Sequence, residues 1–364
     1  MMTVTTSPAV QTKKGISWKT EACFWRILLL FQMANIILLF LDSLSKSSLR
    51  QLMDFAPIKL WRSINFLKFI RVFFDKRLIL IKKGNDENSK SQAIRDMVIK
   101  SLMSSHKNVL KLIGCCLDFN ILASVYEYAV GGSMELLSKR LYESEGGMAE
   151  NGESSSLTWK SRLKIANDIA DVVIYMHIVF STPILFRDLK LSNIIIDQSR
   201  VAKLLDFFLS ILIPPRETQV EDKVPGTWKF IDPEYMLSGF LAEKSDVYSF
   251  GVILLELLEG KRSISSHDIN QQSLRVWVKD SVEKDQFNEF VDSRILKERG
   301  GIVQEQQLQA LLALAMRCIQ ENKEDRPKMH DITKELRRML KSDYLSSSTQ
   351  PFLRRCPIAS PPQP

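Results

Sequence analysis

One stretch of this sequence, residues 186–193, constrains the possible folds more than any other. It reads F-R-D-L-K-L-S-N and places charged and amide side chains directly before the apolar triplet Ile194–Ile196. Apolar residues recur at helical spacing over residues 159–177, and a second apolar pair further along leads into Asp206. The pattern therefore predicts a polar loop between a helix and a buried strand, with another acidic residue at the end of the next strand.

The polar side chains of this loop are of the types that phosphoryl transfer needs. Asp188 can orient a hydroxyl group, and Lys190 can stabilise developing phosphate charge. Asn193 and Asp206 carry oxygens that can hold magnesium. The spacing D-x-K-x-x-N alone arises often by chance, and an aspartate that caps a helix is the alternative interpretation of Asp188. We therefore predict catalytic roles for Asp188 and Lys190, and metal binding for Asn193 and Asp206.

Further motifs follow in a fixed order, and together they resemble the eukaryotic protein kinases of the Ser/Thr class. They are D-F-F at 206–208, G-T-W-K-F-I-D-P-E at 226–234, S-D-V-Y-S-F-G at 245–251 and D-R-P at 325–327. The resemblance implies an α+β, bilobal protein-kinase fold with a small strand-rich N-lobe and a larger helical C-lobe. It also implies that Arg187 receives an activation-loop phosphate, that Glu234 pairs with Arg326, and that Asp246 braces the catalytic loop.

The chain divides into three regions. Residues 55–342 carry the kinase-like motifs, with the N-lobe at about 55–128 and the C-lobe at about 129–342. Residues 1–54 form a basic leader, and the Ser/Pro-rich residues 343–364 are predicted to be a disordered tail. Within the domain the pattern predicts strands at 77–83 and 122–128, and helices at 91–103, 159–177, 243–259 and 303–320.

The net charge of +8 falls within residues 1–80, which carry twelve basic and four acidic residues. A nucleic-acid binder spreads its basic face over the folded domain, so this distribution favours a leader that lies against an anionic membrane or a partner instead. The apolar run 27–41 would span about 22 Å as a helix, short of the ~30 Å hydrocarbon core. Three interpretations stay open: a peripheral or buried helix, a membrane anchor, and a misassigned start with Met33 or Met53 as the true one. Five cysteines without zinc or disulfide spacing favour a reduced, intracellular compartment.

A narrower resemblance rests on two segments. Residues 106–116, H-K-N-V-L-K-L-I-G-C-C, resemble plant receptor-like kinases, especially the wall-associated branch. Residues 206–218 are similar to one subgroup, the HopZ-ETI-deficient-related cytoplasmic pseudokinases, which act as adaptors for an NLR immune receptor. The resemblance implies protein partners, namely an NLR immune receptor and another receptor-like cytoplasmic kinase, and no nucleic acid. It also implies a cytoplasmic protein that can work at the inner face of the plasma membrane.

The largest departure from the kinase pattern is the missing glycine-rich loop. Such a loop needs glycines so that backbone N–H groups can approach phosphates without a clash from Cβ. Gly15 is the only glycine before Gly84, and residues 64–74 supply Phe, Leu, Lys and Arg instead. The absence of the phosphate-cradling loop argues against ATP binding.

Other positions depart from the pattern as well. Lys82, with Lys83 as the alternative register, is the candidate phosphate-pairing lysine, and its predicted partner is Asp96, where the family has Glu. Because Asp is one methylene shorter, about 1.5 Å of reach, the ion pair should be weakened or the helix must move inward. Phe186 replaces a His that packs in an apolar spine, and Phe208 replaces a Gly that lets the backbone approach the metal.

Two functions therefore stay open: a kinase-fold signalling adaptor in plant immunity, and a Ser/Thr kinase of low activity. The missing loop and the subgroup resemblance favour the adaptor, whereas the retained polar residues of the loop favour the enzyme. A membrane-anchored receptor kinase is a third and weaker reading, since the leader is too short for a ligand-binding ectodomain. If nucleotide binds, the cofactors are ATP and magnesium, and the binding residues are Lys82, Asp96, Asn193 and Asp206.

Overall fold

The computed structural model describes ten stretches of the chain. They are residues 59–64, 67–74, 77–84, 90–118, 121–128, 134–142, 157–261, 274–283, 287–298 and 300–341. The predicted leader, its apolar run at 27–41 and the predicted tail at 343–364 lie outside the described residues. Within the described stretches, none of the helices is both long and apolar enough to cross a bilayer.

The first part of the chain forms a five-stranded antiparallel sheet. Its strands are β1 (Lys59–Ile64), β2 (Leu67–Phe74), β3 (Arg77–Gly84), β4 (Leu112–Asp118) and β5 (Ile121–Glu127), in the order β1-β2-β3-β5-β4. The central strand β3 is buried on both faces, which explains its continuous apolar run. Leu80 lies in a core shared with residues after β5, whereas Ile79 and Ile81 lie in a core on the other face.

Helix α1 (Lys90–Leu102) packs against β4 and β5. The apolar spacing along residues 91–103 predicts Leu102 on the buried face, but Leu102 is 38% exposed. Ile99 and Lys100 are fully buried instead. Because residues one helical turn apart share a face, this orientation turns both Asp96 and Lys100 toward the protein interior.

The second part is mostly helical. Its helices are α2 (Leu137–Tyr142), α3 (Trp159–Ile178), α4 (Pro233–Ser238), α5 (Glu243–Glu259), α6 (Leu274–Glu283), α7 (Phe287–Phe290), α8 (Ser293–Leu296), α9 (Gly301–Cys318) and α10 (Met329–Leu340). The largest core is built around α3 and α5, with α9 packed on α5 and α10 packed on α3.

Short strands and turns carry the polar loop. One sheet contains β6 (Glu135–Leu136), β8 (Ile194–Ile196) and β9 (Ala202–Leu204). Two pairs are formed by β7 (Ile184–Leu185) with β10 (Ile211–Leu212), and by β11 (Gln219–Glu221) with β12 (Phe240–Ala242). Short 3₁₀ turns occur at Leu191–Asn193, Trp228–Phe230 and Lys323–Asp325. The loop 186–193 thus runs from β7 into β8, and Asp206 follows β9.

The predicted α+β fold is confirmed, with a strand-rich first part and a helical second part. The helix predicted at 243–259 has the bounds of α5, and the other predicted elements agree within two residues at each end. Helix α5 begins with acids in its first turn, which suit the positive end of the helix dipole. It ends at Gly260, whose φ of 65° is a left-handed conformation that terminates helices.

Candidate functional site

The polar loop 186–193 is held in place by the buried carboxylate of Asp246. Its two oxygens accept hydrogen bonds from the backbone N–H groups of Phe186 and Arg187, both at 2.8 Å. The same carboxylate lies 2.9 Å from Nε2 of His177. Arg187 has a φ of 74°, which is an unfavourable conformation for a residue with a Cβ atom. Asp246 therefore braces the strained turn at the start of the loop, as the sequence motif implied.

Asp188 is the centre of the side-chain contacts within the loop. Nζ of Lys190 lies 2.6 Å from its Oδ2, and Nδ2 of Asn193 donates to the same oxygen at 2.8 Å. The hydroxyl of Thr227 donates to Oδ1 at 3.3 Å, and Lys190 donates to that hydroxyl oxygen at 2.6 Å. The two predicted catalytic residues thus lie together, but both are engaged by each other and by Thr227.

Asn193 and Asp206 fit the donor set of a magnesium site. The backbone N–H of Leu205 donates to the carbonyl of Asn193 at 2.9 Å, which places Asp206 next to the loop. Oδ1 of Asn193 is buried and accepts no hydrogen bond from any described residue. Amide and carboxylate oxygens are the ligands that magnesium prefers, and a buried oxygen without a partner is costly. The residues present would suit the ion if Asp206 gave up its contact with Lys82.

Asp206 also belongs to a buried cluster of four charged side chains, which we call the charge cluster: Lys82, Asp96, Lys100 and Asp206. Nζ of Lys82 lies 2.6 Å from Oδ1 of Asp206 and 2.7 Å from Oδ2 of Asp96. Nζ of Lys100 lies 3.7 Å from Asp96 and donates to the carbonyl of Leu205 at 2.6 Å. No side chain of the cluster is more than 9% exposed. Two cations and two carboxylates therefore neutralise each other away from water.

Burial and pairing act in opposite directions on the pKa values of these groups. Burial would lower the pKa of Lys82, but the carboxylates of Asp206 and Asp96 outweigh it and raise this pKa. Burial would raise the pKa of Asp96, but the cations of Lys100 and Lys82 outweigh it and lower this pKa. Lys100 is less closely paired, so burial lowers its pKa to about 8. Lys82 and Asp96 are thus a full ion pair at neutral pH.

The short side chain of Asp96 still reaches its partner. The weakened contact expected from the lost methylene is not observed, and Lys82 rather than Lys83 makes the pair. Oδ1 of Asp96 also accepts the backbone N–H of Phe207 at 2.8 Å, which ties α1 directly to the D-F-F segment. Phe207 packs edge-to-face on Phe186 with ring centroids 5.1 Å apart, so Phe186 fills an apolar position as expected.

Two phenylalanine rings cover the ammonium group of Lys82. Its Nζ lies 5.4 Å from the ring centroid of Phe208 and 6.0 Å from that of Phe69, within reach of cation–π attraction. Phe69 stands opposite Lys82 in the register of β2 and β3 and is fully buried. Both rings belong to an apolar cluster between the sheet and the polar loop, formed by Phe69, Leu80, Leu110, Tyr126, Tyr128, Met134, Ile195 and Leu205 with Phe208 packed against it.

The hairpin of β1 and β2 is where the resemblance to kinases places the phosphate-cradling loop, and it contributes Phe69 to this apolar cluster. Strands β1 and β2 pair up to Ile64 and Leu67, so only two residues join them. No glycine occurs between residues 59 and 74. Backbone N–H groups in this hairpin are therefore not presented to phosphates by a glycine loop.

The comparison with known proteins agrees with this geometry. Residues 75–336 match the family model for protein tyrosine and serine/threonine kinases. The chain belongs to the protein kinase family. It is 37% identical over 292 residues to the Non-functional pseudokinase ZED1 of Arabidopsis thaliana. The matched residues make up 78% of this chain and 84% of that protein.

Two further relatives from the same plant narrow the resemblance. The kinase domain is 36% identical over 283 residues to Serine/threonine-protein kinase ZRK1, covering 75% of this chain and 78% of the relative. It is 34% identical over 265 residues to Wall-associated receptor kinase 5, covering 72% of this chain and 34% of the relative. The chain thus matches about a third of that receptor. The predicted relation to the wall-associated branch and to the pseudokinase subgroup is confirmed.

In this kinase domain, Arg187 is bound by groups that carry no phosphate. Its Nη1 donates to Oδ2 of Asp222 at 3.0 Å, and its Nη2 donates to the hydroxyl of Tyr235 at 2.7 Å and to the carbonyl of Lys223. Thr227, one of two threonines in residues 206–234, donates to Asp188 instead. The carboxylate of Asp222 therefore meets the arginine that the resemblance assigns to a phosphate, and the sequence analysis missed Asp222.

The predicted pairing of Glu234 with Arg326 is wrong. Nη1 and Nη2 of Arg326 donate to the two carboxylate oxygens of Asp232, both at 2.7 Å. These two side chains are at most 1% exposed, whereas Glu234 is 31% exposed and pairs with Lys323 at 3.1 Å. A buried guanidinium needs a carboxylate that is buried with it and accepts both N–H groups, and Asp232 at the start of α4 meets that need.

This correction predicts a large difference between two neighbouring acids. We expect Asp232→Asn to lower the free energy of unfolding by about 3–5 kcal/mol, because it leaves the buried Arg326 without a counter-charge. Glu234→Gln should cost at most about 1 kcal/mol, since its partner lies at the surface. Urea unfolding of both variants checks this, and an equal loss in the two would contradict the observed pairing.

The shifted pKa of Lys100 predicts a pH dependence of stability. The pKa of this lysine is about 10.4 in the unfolded chain and about 8 in the folded protein. Between these values the unfolded state binds more protons, so stability at this position rises with pH. Between about pH 7.5 and 10, the free energy of unfolding of the wild type should therefore rise by about 1–3 kcal/mol relative to that of Lys100→Met.

Urea unfolding at several pH values measures this gain, with Lys111→Met as the matched control at an exposed lysine. The difference between the wild type and the control variant should stay constant with pH. If the difference in free energy of unfolding between the wild type and Lys100→Met also stayed constant with pH, it would contradict the lowered pKa of Lys100.

Proposed function

We propose that this kinase domain is a signalling adaptor in plant immune signalling that transfers no phosphate. The observation that carries the proposal is the state of Lys82, which is buried between Asp96 and Asp206 and covered by the ring of Phe208. An active kinase keeps the ion pair between this lysine and the helix carboxylate, so it is the added contact with Asp206 and the covering ring of Phe208 that keep the ammonium group of Lys82 from the phosphates of ATP. The relative described as Non-functional pseudokinase ZED1 supports the same reading.

Admitting Mg–ATP would disturb this arrangement at several points. Phe69 and Phe208 would have to move away, and Asp206 would have to exchange Lys82 for the metal. Leaving one charge of a buried ion pair without its partner costs about 3–5 kcal/mol before new contacts form. At about 1.4 kcal/mol per factor of ten, a gross cost of this size corresponds to roughly 100-fold or more in affinity, which the new contacts of the metal and nucleotide must offset.

An adaptor works through surfaces that are held ready for partners. The segment after the D-F-F motif is held by Arg187 on Asp222 and by Lys190 on Thr227, and these contacts need no phosphorylation. The partners that we propose are an NLR immune receptor and another receptor-like cytoplasmic kinase, at the inner face of the plasma membrane. This assignment rests on the resemblance to the pseudokinase subgroup.

A second candidate function, a Ser/Thr kinase of low activity, is favoured by one observation. The buried Oδ1 of Asn193 has no described partner and is suited to magnesium together with Asp206. In that function Asp188 would orient the substrate hydroxyl and accept its proton, and Lys190 would stabilise the transferred phosphoryl group. ATP with magnesium, when bound, would supply that group. Asp188 would first have to release Lys190 and Thr227.

Thermal unfolding of the full-length chain with and without millimolar Mg–ATP separates the two functions. A ligand at about 100 times its dissociation constant stabilises a folded protein by roughly 2.7 kcal/mol, or a few degrees in Tm. We expect no shift in Tm, and no incorporation of labelled phosphate above that of Asp188→Asn. A shift of a few degrees that disappears in Lys82→Met, with phosphate transfer that disappears in Asp188→Asn, would contradict the adaptor proposal.

The same Asp188→Asn variant tests the signalling role. An adaptor needs the fold but not the catalytic carboxylate, so immune signalling in reconstituted plant tissue should persist in this variant. The isosteric amide keeps the shape of the loop, and the Tm of the variant shows whether it is folded. Loss of signalling by a folded Asp188→Asn protein would contradict the proposal.

A further inference from the structure

Helix α10 and the residue after it carry a row of basic side chains on their exposed face, which we call the basic stripe: His330, Lys334, Arg337, Arg338 and Lys341. These positions are three and four residues apart, so they lie on one side of the helix. They line a surface cavity of about 340 Å³, which Ile174 of α3 and Thr333 also line. The cavity thus has an apolar side and a strongly positive side.

Very little negative charge offsets the basic stripe. Nη2 of Arg337 lies 2.8 Å from Oδ1 of Asp171 in α3, and Nδ1 of His330 lies 3.3 Å from Oδ1 of Asp331. The only other acid of α10, Glu335, pairs with Arg317 of α9. The remaining cations of the stripe, Lys334, Arg338 and Lys341, form no ion pair with any residue in the described part of the chain.

The helix dipole favours Arg337 and Arg338 in the last turn of α10, but other local electrostatic effects oppose the basic stripe. Lys334 and Arg338 are four residues apart, as are Arg337 and Lys341, and like charges at this spacing destabilise a helix. The helix dipole favours cations only in the last turn, so it does not account for Lys334 in the middle of α10. Residues 81–364 are neutral overall, so the stripe is a local concentration of charge rather than a sign of a basic domain. Such a local conflict is expected at functional surfaces.

We propose that the basic stripe binds a compact polyphosphorylated anion of the inositol polyphosphate type, either free or as a lipid headgroup. Several phosphates on one ring can each meet a different cation, with arginine forming paired hydrogen bonds and lysine acting as a point charge. Ile174 offers an apolar surface for the C–H face of the ring, and the cavity volume lies in the range of small-molecule sites. Bound phosphates replace repulsion between neighbouring cations with attraction.

A second cavity also borders α10 and carries positive charge. It is lined by Leu340 of α10 and by two exposed cations, Lys160 and Arg200, among other residues. Positive charge around a concave surface steers anions toward it. No residue of either cavity belongs to the charge cluster or to the loop 186–193, so the inference does not rest on the proposed function.

Binding of inositol hexakisphosphate to the full-length chain by calorimetry, in about 100 mM salt, tests the proposal. The variant is Lys334→Gln with Arg338→Gln, and the control is Lys107→Gln with Lys111→Gln, which removes the same charge from exposed positions elsewhere. We expect the stripe variant to bind at least roughly tenfold more weakly and the control to stay within about twofold. The Tm of the stripe variant should be unchanged or higher, because it relieves repulsion within α10.

Vesicle sedimentation separates the two sources of the anion. Binding to phosphatidylcholine vesicles that contain phosphatidylinositol 4,5-bisphosphate, but not to phosphatidylserine vesicles of equal charge, supports a lipid headgroup. Binding to inositol hexakisphosphate alone supports a free anion. The proposal is overturned if neither probe binds, if both variants lose binding equally, or if phosphatidylserine vesicles or polyglutamate bind as tightly as the phosphorylated probes.

Discussion

The buried charge cluster is the interaction on which the rest of the domain depends. Four charges withdrawn from water are costly unless each is paired and hydrogen-bonded. Lys82 meets two carboxylates, and Lys100 meets Asp96, the carbonyl of Leu205 and the face of Tyr126 at 3.8 Å. Because its members come from β3, from α1 and from the segment after β9, the cluster fixes the sheet against the helical part. The positions of Phe207 and Phe208 follow from it.

The same contacts give a physical reason for the retained polar residues that does not require catalysis. In an active kinase such groups face magnesium and phosphates. Here Asp206 neutralises Lys82, and Asp188 holds Lys190 and Asn193 within the loop. Asp222 supplies Arg187 with a permanent carboxylate. Retention of these residues is therefore explained by structure, and it is weak evidence for phosphate transfer.

The fold was predictable because its determinants are local. The pair of Lys82 with Asp96 was also predicted correctly, whereas the partner of the buried Arg326 was not. Helix α5 follows from apolar spacing, acids in its first turn and a glycine after its end. Asp232 and Glu234 stand two residues apart in one motif, and only their burial distinguishes which meets Arg326. That burial depends on how α4 packs against segments far along the chain.

Lys100 illustrates the same limit within one helix. It occurs in the run M-V-I-K-S-L-M, one turn after Asp96, and this spacing was the available signal for a second buried cation. The rotation of α1 that buries Lys100 and exposes Leu102 is set by packing against β4 and β5, which apolar periodicity does not specify. Phe69 was missed for a related reason, since its contact with Lys82 requires the register of β2 against β3.

The most direct test of the central claim is a crystal structure of the full chain grown with magnesium and a non-hydrolysable ATP analogue. The account predicts Lys82 within hydrogen-bond distance of both Asp96 and Asp206, with the ring of Phe208 over its ammonium group and no metal between Asn193 and Asp206. A magnesium ion held by Asn193 and Asp206, with Lys82 turned to a phosphate and Phe208 displaced, would contradict it.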